Sequence, residues 1–129
     1  VDIVQALRTS AEELGLKYHL GISQCKDSFY GEVERTRMPL ADHLEARWKA
    51  WVAGGAICSE MESAVLFVLA SLYRKRAGGT MLIINNADLA ELSQDDVNKQ
   101  MAEFDADRVI RVAVEGLRKI IRQDRAGKP

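Results

Sequence analysis

Ala56-Ile57-Cys58, then Ser59-Glu60-Met61-Glu62-Ser63, then Ala64-Val65-Leu66-Phe67-Val68-Leu69-Ala70 is the stretch on which the fold turns. The first three residues read as a short strand and Met61–Arg74 reads as a long helix. Two carboxylates and a thioether sit at the handover. Such a strand-to-helix junction is a common place for an α/β protein to hold a polar ligand.

The rest of the chain alternates in the same way. Ile3, Leu7, Ala11 and Leu14 recur at helical spacing, and Gly15 supplies a stop. Tyr18–Cys25 reads as a strand, Lys26–Pro39 as a polar loop, and Leu40–Val52 as a helix ended by Gly54-Gly55. Thr80–Ile84 reads as another strand, apolar enough to be buried on both faces. Asn85–Leu92 is a loop, and Ser93 caps a last helical region, Gln94–Arg122, with a break near Asp105. The order α-β-loop-α-β-α-β-α predicts an α/β layered fold. Three strands are few for four helices, and the chain opens on Val1 directly into a helix. Both features lead us to expect that an earlier part of the protein is absent.

Bulk properties narrow the function. The 129 residues are 47% hydrophobic and 29% charged, with a formal net charge of −1. That balance provides no field to attract nucleic acid or an anionic membrane surface. The longest purely apolar run, Ala64–Ala70, is far too short to span a bilayer. Cys25 and Cys58 lack the close spacing of a metal or redox motif and read as packing residues in a reducing compartment. His19 and His43 have no Ser or Cys partner by spacing, so both read as structural. Trp48 and Trp51, three apart on one helix, read as packing anchors.

The junction has a purely structural reading. Ser59-x-x-Glu62 fits a capping box, in which Ser59 accepts from the Glu62 amide and Glu62 reaches back to the Ser59 amide. Glu60 then favours the positive end of the helix. A second block, Lys26-Asp27-Ser28-Phe29-Tyr30-Gly31, is equally readable as a strand-ending turn with buried aromatics.

Together the two blocks are more specific. With Tyr18-His19-Leu20-Gly21, Met38-Pro39 and the Thr80–Ile84 strand, they make nearly the whole chain resemble the C-terminal half of the uridine phosphorylases in the nucleoside phosphorylase-I superfamily. The resemblance implies the C-terminal portion of a three-layer phosphorylase/hydrolase-like fold with a central mixed sheet. Residues 1–129 are then a partial nucleoside phosphorylase domain whose N-terminal half is absent. It also implies a cytoplasmic enzyme of pyrimidine salvage, a homo-oligomer that needs no organic cofactor and takes phosphate as co-substrate. The phosphate ligands come from the absent half, with another subunit completing the site. Consistent with that, Gly54-Gly55 and Gly78-Gly79 lack the surroundings of a phosphate loop. The chain alone is then expected to be inactive.

By the same resemblance, Glu60, Met61 and Glu62 form the ribose side. An ionised carboxylate has two acceptor oxygens, which suits the vicinal hydroxyls of a sugar. Phe29 stacks near the nucleoside, and Ile83 and Ile84 line the base pocket. Uridine phosphorylases read uracil with a Gln and an Arg from the loop after the aromatic pair. Here Glu32 stands nearest the Gln, and the Arg is either Arg35 or Arg37. While ionised, Glu32 accepts from a ring N–H but does not donate to a carbonyl. Purine-specific relatives place an acidic residue just after the strand equivalent to Thr80–Ile84. This chain has Asn85-Asn86 there, with Asp88 shifted, so pyrimidine is favoured. The alternatives are a hydrolytic nucleosidase of the same superfamily and a catalytically incompetent structural or assembly fragment.

Overall fold

Leu7 rests on Gly116 where the first and last helices meet. In the computed structural model, which describes residues 2–84, 93–102 and 104–127, α1 (Asp2–Glu13) packs on the 21-residue helix Ala106–Ala126. Ala6, Ser10 and Ala11 are the buried face of α1, and Val112, Gly116 and Ile120 that of its partner. Val112, Gly116 and Ile120 recur four apart, as do Ala6 and Ser10, so each set lies on one helix face. A Cβ at Gly116 would sit 2.9 Å from a Leu7 methyl, so a larger residue there would require that side chain to shift. The expected stop at Gly15 is observed. Gly15 has φ +65°, its amide donates to Glu12 O at 3.0 Å, and Leu16 N donates to Ala11 O at 2.9 Å. That pair of bonds is a Schellman ending.

Between these helices the chain runs β1 (Ile22–Cys25), α2 (Tyr30–Val33), a 3₁₀ turn (Arg35–Arg37), α3 (Ala41–Ala53), β2 (Ala56–Glu60), α4 (Ser63–Leu72) and α5 (Gln94–Ala102); the last helix is α6. Close contacts group the chain into two units. One is Val1–Leu20, Val65–Leu82 and Asp105–Pro129; the other is Gly21–Ala64 and Ile83–Phe104. In the first unit, Arg76 bridges Asp2 of α1, at 2.8 Å, and Asp124 of α6. In the second, β1 and β2 pair in parallel, with Gln24 beside Ser59 and Cys25 beside Glu60.

The fold is mixed α/β, as expected, but several elements differ from the sequence reading. The strand expected over Tyr18–Cys25 shortens to Ile22–Cys25, because β2 offers it a partner only from Ala56 onward. Tyr18 instead turns to α1, its hydroxyl donating to Glu12 at 2.7 Å. Thr80–Ile84 forms no strand. A strand exists through its ladder, and among the described residues nothing pairs with this segment. The Lys26–Pro39 loop contains a helical turn, opened where Ser28 Oγ accepts from Gly31 N at 3.0 Å, and then the 3₁₀ turn. Ser93 does cap α5, accepting from Asp96 N at 3.2 Å, and Asp105 restarts the chain as the cap of α6. The expected loop Asn85–Leu92, with Asn85, Asn86 and Asp88, lies outside the described residues.

α4 is apolar all round. Val65, Leu66, Phe67, Val68, Leu69 and Leu72 are all exposed, and Ser63 is its buried residue. None of the helices among the described residues is long and apolar enough to cross a membrane.

The helix contact is testable. Gly116→Val should destabilise the chain by about 1–3 kcal/mol in urea unfolding, through overpacking against Leu7. Adding Leu7→Ala should recover part of that loss.

Candidate functional site

The C-terminal ends of β1 and β2 lie side by side, because the strands are parallel and Lys26 N continues the ladder to Glu60 O at 2.9 Å. The chain leaves β1 into the Lys26–Gly31 block and leaves β2 into the Glu60–Ser63 block. One short ladder therefore brings the two motifs to the same edge.

At the β2 exit, the cap is not the one the sequence suggests. Glu60, not Ser59, caps α4. Its Oε2 accepts from the amides of Glu62 at 2.9 Å and Ser63 at 2.7 Å, and its Oε1 accepts from the Ser63 hydroxyl. Burial pushes the Glu60 carboxyl up, but these hydrogen bonds outweigh it and hold the group below the usual carboxylate range. α4 accordingly begins at Ser63 rather than Met61. Ser59 faces the other way, into a cluster with Gln24, Lys26 and Glu32.

Glu62 is thereby released from a reciprocal bond to Ser59. It is exposed, and its Oε2 accepts from Met61 N at 3.0 Å. Oε1 has no partner among the described residues and remains available to a ligand donor. Met61 beside it is also exposed. Cys58 is a poor nucleophile here, since burial, and then the Glu60 carboxylate, push its thiol up.

At the β1 exit, Phe29 and Tyr30 meet edge to face, with centroids 5.4 Å apart, and both are about half-exposed. The Lys26 ammonium lies 5.7 Å from the Phe29 centroid. Glu32 has both oxygens engaged, Oε1 by Lys26 at 2.9 Å and Oε2 by the Ser59 hydroxyl at 2.8 Å. Arg35 is only 5% exposed. It pairs with Glu45, donates to Glu32 O at 2.8 Å, and lies with its guanidinium 5.3 Å from the Trp48 ring centroid. Arg37 is exposed and pairs with Glu34 at 2.7 Å. Ile83 and Ile84 belong to the same unit and are about half-exposed. His19 and His43 are exposed.

Of the residues singled out by sequence, the ladder thus gathers Phe29, Glu32, Glu60, Met61 and Glu62. Gln24, Lys26 and Ser59 were missed as a set. Only the register that places Gln24 beside Ser59 could have revealed them. Among the described residues no group of three or more His, Cys, Asp or Glu side chains is arranged to hold a metal ion.

Comparison with known proteins decides the family. Residues 2–122 match the Phosphorylase superfamily. The chain belongs to that superfamily. It is 39% identical over 122 residues to a uridine phosphorylase of Treponema pallidum, covering 95% of this chain and 46% of that protein. Similarity extends to uridine phosphorylases of Escherichia coli, at 27% identity over 93% of this chain and 47% of the relative. For Thermococcus kodakarensis the identity is 29%, over 99% of this chain and 45% of the relative. The chain spans about half the length of the curated relatives it matches.

Two stability predictions follow from the arginines. Arg35→Ala should cost about 2–3 kcal/mol, because it removes a buried, stacked guanidinium. Arg37→Ala should cost about 0.5 kcal/mol or less, as an exposed pair does. Urea unfolding separates them. The hydrogen bond from Arg35, against a smaller opposing effect of burial, holds the Glu45 carboxyl below its ordinary value. A depressed folded pKa means stabilisation that is present at neutral pH and lost as pH falls through that value. The stability gap between the native chain and Glu45→Gln should therefore close on acidification.

Proposed function

We propose that this chain supplies the ribose- and base-binding side of a uridine phosphorylase, which reversibly converts uridine and phosphate to uracil and ribose 1-phosphate. The observation that carries the proposal is Glu62: an exposed carboxylate with one open oxygen, at the end of a parallel strand beside an exposed aromatic pair. Its place in a chain related to uridine phosphorylases supports the substrate.

In the proposed reaction, a phosphate oxygen bonds to the anomeric carbon while the glycosidic C–N bond breaks. The bonding electrons leave with uracil, which takes up a proton. The sugar passes through a cationic, oxocarbenium-like state. The work of the protein is orientation and electrostatic stabilisation. Glu62 accepts from the two ring hydroxyls of ribose, and Met61 packs against the sugar. Phe29 stacks near the nucleoside, and Ile83 and Ile84 line the base. Glu60 shapes the ribose side by capping α4 and turning the Glu62 amide toward itself. Arg35 and Arg37 occupy the base loop, Arg35 as its buried anchor.

The phosphate ligands belong to further polypeptide of a homo-oligomeric, cytoplasmic enzyme with the full three-layer fold and no organic cofactor. Support comes from α4, since a helix that is apolar all round is one that packing covers. In that larger fold, Thr80–Ile84 gains a ladder partner, and residues 1–129 act as one part of the phosphorylase domain. Alone, the chain is incompetent.

Uracil release from uridine by the complete protein, with and without phosphate, tests the proposal. We expect phosphate-dependent release, and a loss of about 100-fold or more in kcat/KM for Glu62→Ala, from the hydrogen bonds removed. Near-normal turnover in that variant would sink the ribose role. Phosphate-independent release would identify a hydrolytic nucleosidase instead.

A further inference from the structure

Lys26, Glu32, Ser59 and Gln24 form a nearly buried polar network that no step of the proposed reaction uses. The Lys26 and Glu32 side chains are 11% and 14% exposed, and Gln24 is 7% exposed. Lys26 Nζ donates to Glu32 at 2.9 Å and to Ser59 Oγ at 3.0 Å. Ser59 Oγ also lies 2.6 Å from the Gln24 side-chain oxygen and 2.8 Å from Glu32 Oε2.

Counting protons shows how the network closes. Ser59 has one hydrogen and faces two acceptors. A half-turn of the Gln24 amide, which exchanges its oxygen and nitrogen in place, resolves this. Ser59 then accepts from Lys26 and Gln24 and donates to Glu32. Each of the four side chains then has a partner within the network, and the lysine and glutamate charges offset each other. Such a closed network holds its members in one arrangement.

Its members are spread where they matter. Lys26 lies three residues before Phe29 and Glu32 three residues after it, and Glu32 N donates back to Phe29 O at 3.0 Å. Ser59 lies three residues before Glu62. We propose that Lys26 is a positioning residue, which through Glu32 and Ser59 fixes the Phe29 turn against the strand end that carries Glu62. Glu32 then serves this anchor and does not read the base. The kinetic side of the inference rests on the uridine phosphorylase reading above.

The test uses the complete protein, with Lys26→Met, Lys26→Arg, Glu32→Gln and the Lys26→Met/Glu32→Gln double variant. Two readouts are needed: steady-state kinetics with uridine, and amide hydrogen exchange. Lys26→Met should raise KM for uridine by about 10-fold and change kcat less, since loosened positioning weakens binding before chemistry. Lys26→Arg, which keeps the charge and several donors, should recover most of that loss. The double variant should be no worse than Lys26→Met alone, because both act on one network. Exchange over residues 27–34 should quicken in Lys26→Met while α6 is unchanged. An equal change in KM from Glu32→Gln in both backgrounds would overturn the proposal and make Glu32 a direct base contact. So would unaltered exchange over 27–34. If the native complete protein fails to cleave uridine, the functional reading fails by itself. Exchange then decides the anchor: faster exchange upholds it and unchanged exchange overturns it.

Discussion

The parallel ladder between Ile22–Cys25 and Ala56–Glu60 is the constraint on which the candidate site depends. Two strands that run the same way deliver their C-terminal ends, and so their exit loops, to one edge. Here the exits are the Phe29 turn and the Glu60–Ser63 junction, which are thirty residues apart in sequence. A shift of one residue would turn Ser59 away from Gln24 and Lys26, because side chains alternate along a strand. The network across the edge and the ladder beneath it therefore specify the same register.

Glu60 divides the labour at the second exit. By taking the Glu62 and Ser63 amides and the Ser63 hydroxyl, it satisfies the start of α4. That frees two neighbours. Ser59 turns inward to the polar network, and Glu62 turns outward with an oxygen to spare. A capping box between Ser59 and Glu62 would have used both residues on the helix end. The cap one residue later keeps the Glu62 carboxylate out of the helix start.

Much of this was legible from residue pattern. The helical spacing of Ile3, Leu7, Ala11 and Leu14 located α1, Gly15 its end, and Ser93 and Asp105 the starts of the last two helices. The Lys26–Gly31 and Ser59–Ser63 blocks pointed to the family that comparison shows. What escaped the pattern depends on partners far along the chain. Tyr18 reads as strand but bonds to Glu12, and Thr80–Ile84 reads as strand but has no ladder among the described residues. Arg35 reads as one of two candidate base-loop arginines, and its spacing does not show that Glu45 and Trp48, from the next helix, bury it. Glu32 reads as a base contact, and nothing in its spacing shows that Lys26 and Ser59 each engage one of its oxygens. Composition carries no register, so none of these pairings could be read in advance.

A crystal structure of the complete protein with uridine and sulfate bound tests the central claim most directly. A ribose clamp at Glu62 predicts both ring hydroxyls within hydrogen-bonding distance of its carboxylate, about 2.5–3.0 Å, with Phe29 against the nucleoside and Glu32 still held by Lys26. Ribose seated elsewhere, with Glu62 still directed only at the Met61 amide, would contradict it.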